Sequence, residues 1–211
     1  MHNGERGFLS ARNDDLNHLE GAVLDAAELL IGTVRNEGKI LAAGNGGSCS
    51  DALHFSGELL KSFLLPRGVD AATAAALAAF PFGSELAGGL EPGIPVVVLG
   101  QNPALNSAYL NDRGHAHAVL AQECLALAQP GDALVVFSTS GEAENLIRAM
   151  AVAKVRGART VAFTGKGGGR MGAAADVEIR SPAMATPRVQ EHHVVLYHAL
   201  CMLVEKGIFG K

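Results

Sequence analysis

The stretch AGNGGSCSDALHFSGELL, residues 43–60, places a glycine- and serine-rich loop directly before a predicted helix that carries an imidazole and a carboxylate. His54 and Glu58 are four residues apart, so on a helix they share one face with about 6 Å between them. Such a pair can act as an acid–base couple, hold one metal ion, or form a plain surface ion pair. Residues 54–58 read HFSGE rather than HExxH, so the metalloprotease pattern is absent.

Three loops of the sequence are suited to binding an anion such as a phosphate group. They are GNGGS at 44–48, STSGEAEN at 138–145 and TGKGGG at 164–169. Each combines glycines and small hydroxyls with the start of a predicted helix, where free N–H groups and the helix dipole favour negative charge. One such loop alone could be a plain strand-to-helix turn. Three of them, one directly before His54 and Glu58, predict an anion site beside proton-transfer groups.

A second group of candidate residues lies in the last predicted helix, PRVQEHHVVLYHALCMLVEK at 187–206. Gln190 and His198 are eight residues apart. On an ideal helix this is about 12 Å of axial rise, long for two ligands of one ion. His192 and His193 are adjacent and point apart, so at most one is expected to face a common site. For His193 a buried core position is an equally open interpretation.

Five apolar runs predict the strands that must position these side chains. Apolar strands that alternate with helices indicate a parallel sheet covered on both faces, with all loop ends at one carboxyl edge. We expect a single domain over 1–211, with an N-terminal helical segment (1–38, with helix pattern over about 8–36) and a short helical insertion at 66–93. The predicted strands are KILAAG (39–44), IPVVVLG (94–100), ALVVFSTSG (133–141), TVAFTGKGGG (160–169) and DVEIRS (176–181).

Composition excludes several classes of protein. The chain has 211 residues, of which 48% are hydrophobic and 18% charged, which is typical of a globular protein. The formal net charge is −4 without a basic cluster, so nucleic acid is not an expected partner. No apolar run reaches the roughly 18 residues of a membrane span, and no signal-peptide core is present, so no membrane association is expected. Three widely spaced cysteines fit a reducing compartment, and we expect the cytoplasm.

A nucleotide cofactor is not expected. Residues 167–172 match GxGxxG, but they stand late in the chain rather than after the first strand. A lone match of this kind is a weak signal, and no Walker A sequence is present.

Together these motifs resemble the SIS (sugar isomerase) phosphosugar-binding domains, specifically the phosphoheptose isomerase branch, over most of the chain from residue 39 onward. The resemblance implies a three-layer α/β sandwich with a five-stranded parallel, flavodoxin-like sheet and N-terminal helices. It also implies a homotetramer with active sites at subunit interfaces. The matching pieces are GNGGSxxDAxHFxxEL (44–59), Asn111-Asp112, GDxLxxxSTSG (131–141), TGKxGG (164–169) and TPRxQExHxxxxH (186–198).

The resemblance further implies an aldose–ketose isomerase that acts through an enediol, with sedoheptulose 7-phosphate and D-glycero-D-manno-heptose 7-phosphate as the leading substrate pair. Glu58 and His198 would be the acid–base pair. Zinc would be bound by His54, Glu58, Gln190 and His198. The substrate-binding residues implied by the match are Asn45, Gly46, Gly47, Ser48, Asn111, Asp112, Ser138, Thr139, Ser140 and Gln190.

The sequence departs from the family pattern around the second phosphate loop. Ala143 stands where the family commonly has a serine, which removes one donor. Glu142 and Glu144 place carboxylates at a helix start, where they are expected to compete with phosphate. Gly167 replaces an aspartate, and the 66–93 segment is longer than in the best-known heptose enzymes. These differences leave open an isomerase of another sugar phosphate.

A second alternative is a non-catalytic SIS protein, either a phosphosugar sensor or a regulator that associates with a replication initiator. Such relatives typically lose the carboxylate or the terminal histidine. Since Glu58 and His198 are both present, the sequence favours the enzyme.

Overall fold

Five parallel strands form the centre of the fold in a computed structural model that describes Leu9 and residues 14–210. The sheet order is β2-β1-β3-β4-β5, and every neighbouring pair is parallel. This confirms the predicted five-stranded parallel sheet, and the order is the flavodoxin-like one. The strands are β1 (Ile40–Gly44), β2 (Val96–Val98), β3 (Ala133–Ser138), β4 (Arg159–Thr164) and β5 (Val177–Arg180).

Helices cover both faces of the sheet, as the continuous apolar strands predict. Ala42 and Val135 pack with α1, α2 and α9, whereas their neighbours Leu41 and Val136 pack with α6, α7 and α8. Within residues 14–210, none of the helices combines the length and apolar content needed to cross a bilayer. The helices are α1 (Glu20–Arg35), α2 (Gly47–Leu60), α3 (Ala71–Leu77), α4 (Gly83–Gly89), α5 (Pro103–Arg113), α6 (Val119–Leu127), α7 (Glu144–Val155), α8 (Gly169–Ala174) and α9 (Thr186–Phe209), with short 3-10 turns at Asp14–Leu19 and Ala116–Ala118.

The register of the sheet brings the candidate loops to one edge. Gly44 at the end of β1 lies opposite Phe137, and Ser138 at the end of β3 lies opposite Thr164 at the end of β4. The chain leaves β1 toward β2 on one side and reaches β3 on the other, so the strand order reverses here. Ligands bind at such a switch point in open α/β sheets.

The segment 66–93 contains two short helices, α3 and α4, and its two ends are held together. The backbone N–H and the hydroxyl of Ser62 both donate to the carboxylate of Glu91, at 3.0 and 2.7 Å. The N–H of Ile94 donates to the carbonyl of Leu59 at 2.8 Å. The segment therefore leaves the body of the protein and returns to it at the same place.

The predicted helix over 8–36 is a 3-10 turn followed by α1; residues 8 and 10–13 lie outside the described residues.

A buried carboxylate on α9 ties down the chain that follows α2. Glu205 is 2% exposed and accepts hydrogen bonds from the N–H groups of Phe63 and Leu64 at 2.7 and 2.8 Å. The guanidinium of Arg67 lies 2.6 Å from the same carboxylate. Although burial opposes ionisation, these donors hold the pKa of Glu205 below its usual value. The anchor fixes where α2 ends relative to α9.

His193 is a core residue rather than a site residue. It is fully buried, it packs edge-on against Phe163, and its Nε2–H donates to the carbonyl of Thr164 at 3.2 Å. Its Nδ1 atom is buried without a partner. Burial disfavours the charged ring and lowers the pKa of His193 to about 4.

We expect the contribution of His193 to the free energy of unfolding to decrease as the pH falls from 6.5 toward about 4, because the unfolded chain protonates His193 in this range and the folded chain does not. A shift of this size corresponds to about 3 kcal/mol. His193→Gln keeps a donor for Thr164 and removes the titration, so its stability should fall less steeply over the same range. Urea unfolding of both proteins across this range measures the two slopes. Asp51, whose pKa is raised to about 6, titrates in both proteins and cancels from the comparison. Equal slopes would contradict the assignment.

Candidate active site

The first anion loop joins β1 to α2 in a tight turn. Gly46 has a φ of +54°, and a Cβ on Gly44 would lie 2.1 Å from the carbonyl oxygen of Ser48. Only glycine fits both positions. No side chain caps the start of α2, where Asn45, Gly46 and Gly47 are exposed and Ser48 is buried. The first turn of α2 is thus open to an anion.

The second anion loop joins β3 to α7 and is bonded to the first. The side-chain amides of Asn45 and Asn145 exchange two hydrogen bonds, at 2.9 and 2.8 Å. Ala143 caps α7 without a side-chain hydrogen bond, so this helix start is open as well. The amide pair brings the starts of α2 and α7 together at the switch point. The predicted residues Ser138, Thr139 and Ser140 lie in this loop, buried, half-buried and exposed respectively.

The third loop supports the second from behind. The N–H of Met171 donates to the carbonyl of Gly141 at 2.9 Å, and a Cβ on Gly169 would lie 2.6 Å from Gly141. This close approach places the start of α8 against the STSG turn. The TGKGGG stretch therefore positions the second loop.

Arg170, at the start of α8, binds the two carboxylates that the sequence places beside the phosphate loop. Its Nε and backbone N–H donate to the two oxygens of Glu142 at 2.7 and 2.9 Å, and its Nη2 donates to Glu144 at 3.1 Å. The hydrogen bond from Arg170 lowers the pKa of Glu142. Both carboxylates are thus held by a cation beside the loop.

Three proton-transfer side chains from α2 and α9 meet in one cluster, about two turns along α2 from the first anion loop. His54 Nε2 lies 2.9 Å from Glu58 Oε1 and 3.4 Å from His198 Nε2. One ligand atom from each residue fits within 4.8 Å of the other two. The carboxylate from the early chain and the imidazole from its end therefore meet within one chain.

The chemistry of this cluster suits a metal ion. Two imidazoles and one carboxylate are the donor set of many catalytic zinc sites, in which three protein ligands leave one position open. Gln190 lies elsewhere along α9: a Cβ on Gly47 would be 2.2 Å from its Nε2 atom. Its amide is thus against the first anion loop. His54, Glu58 and His198 are the predicted ligands that the fold brings together.

The predicted sugar-binding pair lies on a separate element. Asn111 and Asp112 are exposed residues of α5, and the amide of Asn111 donates to the carboxylate of Asp112 at 3.0 Å. Their neighbour Leu110 lines a cavity of about 360 Å³ that Asn45 and Gly46 also line. The cavity connects this end of α5 to the first anion loop.

Sequence reasoning missed two buried polar residues behind His54. The hydroxyl of Tyr197 lies 2.7 Å from His54 Nδ1. Asp51 is 7% exposed, its Oδ2 has no hydrogen-bond partner, and burial raises its pKa to about 6 against the opposing effect of His54. Asp51 precedes His54 by three residues, a helical spacing that could have identified it. For Tyr197 no local signal exists, since its partner is 143 residues away.

Comparisons with known proteins identify the family and agree with the fold. The SIS domain family model matches residues 108–204. Among curated proteins, the chain is 36% identical to the phosphoheptose isomerase of Trichlorobacter lovleyi, over 91% of this chain and 85% of the relative, and 37% identical to that of Alkalilimnicola ehrlichii, over 92% and 88%. Among solved structures, the phosphoheptose isomerase of Francisella tularensis gives a TM-score of 0.76 at 28% identity, covering 94% of this chain and 92% of that one. The phosphoheptose isomerase of Neisseria gonorrhoeae gives 0.73 at 31% identity, with the same coverage.

Replacing Arg170 with Gln should weaken binding of a phosphorylated ligand, because the carboxylate of Glu142 beside the phosphate loop then loses its cationic partner. We expect the dissociation constant of inorganic phosphate to rise about two- to fivefold, the size typical of an exposed charge pair. Isothermal titration calorimetry measures it. Arg148→Gln is the matched control, because Arg148 pairs with Glu144 and not with Glu142. Its dissociation constant for phosphate should stay the same.

The double variant Glu142→Gln, Arg170→Gln should recover most of the lost affinity, because no unpaired carboxylate remains at Glu142. An unchanged affinity in the single variant, or a double variant as weak as the single one, would contradict this role for Arg170.

Proposed function

The chain belongs to the SIS-domain family, in its phosphoheptose isomerase branch, and we propose that it is an aldose–ketose isomerase that interconverts sedoheptulose 7-phosphate and D-glycero-D-manno-heptose 7-phosphate. The observation that carries this proposal is the meeting of Glu58 with His198, where Glu58 lies on the helix that begins at the first of two joined phosphate loops. An isomerase of this kind needs a base, an acid and a remote grip on the phosphate, and we assign these roles to Glu58, His198 and the two loops.

In the proposed complex the phosphate lies at the starts of α2 and α7. Unpaired backbone N–H groups and the helix dipoles favour the dianion there. Ser48, Ser138, Thr139 and Ser140 would add hydroxyl donors. Gln190 would bind a sugar hydroxyl between the phosphate and the cluster. This grip fixes the reacting carbons and supplies binding energy away from the bond that changes.

In the proposed reaction Glu58 removes a proton from C1 of the ketose while His198 donates a proton to O2, which gives the enediol. His198 then takes the proton from O1, and Glu58 returns its proton to C2, which gives the aldose. Both residues end in their starting protonation states. One positioned acid or base is typically worth about 10²- to 10⁴-fold in rate.

We propose zinc as the ion that His54, Glu58 and His198 hold, with Gln190 as a further ligand from the family pattern. When bound, zinc would polarise the sugar carbonyl as a Lewis acid in place of the protonated His198, because an imidazole nitrogen that binds the ion has no proton to donate. Glu58 has two carboxylate oxygens, so one can hold the ion while the other accepts a proton. From the family resemblance we also propose that the protein is a homotetramer with active sites between subunits. We further propose that it is cytoplasmic and that residues 1–211 form one domain.

The regulatory alternative is disfavoured, because both Glu58 and His198 are retained and they lie in one cluster.

An isomerase of a different sugar phosphate has one observation in its favour. The segment 66–93 starts beside the cluster, where the ring of Phe63 lies 5.5 Å from that of His198. A panel of ketose phosphates of five to seven carbons, with products identified by NMR, separates the two substrate assignments.

Glu58→Gln should lower kcat for sedoheptulose 7-phosphate about 10²- to 10⁴-fold, because the amide cannot accept the C1 proton. KM should change little, since the phosphate loops are untouched. NMR detection of the heptose product measures both constants. Glu191→Gln, an exposed residue of α9, is the control and should be neutral. Unimpaired turnover by Glu58→Gln would remove this residue from the mechanism.

Protein purified without chelators should contain about one zinc per chain, because the cluster offers three ligands. His54→Ala should lose most of this zinc, whereas His117→Ala, outside the cluster, should keep it. Elemental analysis measures both contents. A zinc content that His54→Ala leaves unchanged, or no zinc together with no activation by added zinc, would contradict the metal assignment.

A further inference from the structure

Tyr197 occupies a core position where a phenylalanine would satisfy the packing. It is 1% exposed and is among the largest fully buried side chains of the described chain, and its ring lies edge-on to Phe137 at 5.9 Å. A buried hydroxyl loses its hydrogen bonds to water, so it is tolerated only when it is paired. The Tyr197 hydroxyl has one partner in the core, the Nδ1 atom of His54 at 2.7 Å.

The partners of His54 define its tautomer. A carboxylate can only accept, so the bond between His54 Nε2 and Glu58 requires a hydrogen on Nε2. A neutral ring then has a bare Nδ1, which accepts from the Tyr197 hydroxyl. If Nε2 instead binds an ion, the ring hydrogen must be on Nδ1, and the same hydroxyl accepts it. The change moves one hydrogen of the His54 ring from Nε2 to Nδ1 by exchange with water, so the ring neither gains nor loses a proton.

A hydroxyl is the group that serves both states, because it can donate or accept by rotation. An amide oxygen, a carboxylate or an ammonium in its place would support only one of them. Asp51 lies close enough for its charge to act on both His54 and Tyr197. Among the residues that the structure describes, its buried Oδ2 has no hydrogen-bond partner.

We propose that Tyr197 is a positioning residue that fixes the ring orientation of His54 and, by reversing its hydrogen bond, the tautomer that presents Nε2 to the cluster. It does not contact substrate. The role in turnover rests on the proposed function, whereas the effect on the tautomer of His54 does not. Partners of this kind, placed behind a metal-binding histidine, typically change metal affinity or activity by about 10- to 100-fold.

The first test is Tyr197→Phe, which removes the hydroxyl and keeps the ring. We expect zinc affinity, measured by competition with a chromogenic chelator, to fall about 10- to 100-fold. We expect kcat for sedoheptulose 7-phosphate to fall with KM unchanged, because the substitution leaves the residues of the phosphate loops as they are. Tyr109→Phe removes the same atom from the other tyrosine of the chain, on α5, and should leave zinc affinity unchanged.

The second test needs no activity, and its first part uses the unmodified protein. Long-range ¹H–¹⁵N correlation spectra of ¹⁵N-histidine-labelled protein report which ring nitrogen of His54 carries hydrogen. In the metal-free protein we expect hydrogen on Nε2 alone, and after addition of zinc we expect it on Nδ1. In Tyr197→Phe we expect a mixture of the two forms in the metal-free protein. A melting curve shows whether Tyr197→Phe folds. If it does not, the spectra of the unmodified protein with and without zinc still test the proposal.

The proposal is overturned if metal-free His54 in the unmodified protein already carries hydrogen on Nδ1 or populates both forms. It is equally overturned if Tyr197→Phe folds and has the same zinc affinity and the same His54 tautomer as the unmodified protein. Loss of isomerase activity in every preparation, with the expected tautomers present, would refute the proposed function and leave this inference standing.

Discussion

The packing of α2 against α9 is the contact on which the candidate site depends. Phe55 and Leu59 of α2 and Leu196 and Leu200 of α9 are buried in one core cluster, so the two helices are held by apolar contacts across their inner faces. Residues on the adjoining faces then meet along the seam between the helices. The imidazole and carboxylate groups lie in this seam, close to solvent but fixed by the core behind them. The chemistry needs no flexible loop for its alignment.

Sequence information was sufficient for features that depend on local pattern. The strands follow from apolar runs, and the pairing of His54 with Glu58 follows from helical spacing. The contact of His54 with His198 joins residues 144 apart, and only the resemblance to a family, not periodicity, predicted it. The amide pair of Asn45 and Asn145 joins residues 100 apart and was not predicted at all. Such contacts depend on how helices pack on the sheet, which one sequence does not specify locally.

The region around the second loop shows how a chain can tolerate unfavourable residues near an anion site. From the sequence, acidic residues at the start of α7 oppose phosphate binding. In the fold, the neighbouring turn approaches so closely that glycine is required at 141 and 169, and this brings a guanidinium onto both carboxylates. The local charge is therefore a property of two loops together. Judging the second loop alone overstates the negative charge beside it, because one guanidinium offsets part of that charge.

The hydrogen bonds between Ser62 and Glu91 have a consequence for how the surface near the site can diversify. Because they close the base of the intervening segment, the sheet is insensitive to how much chain lies between them. Each doubling of a flexible loop costs only about 0.6 kcal/mol in closure entropy. A change in the length of this segment is therefore expected to leave the reacting groups of α2 and α9 in register.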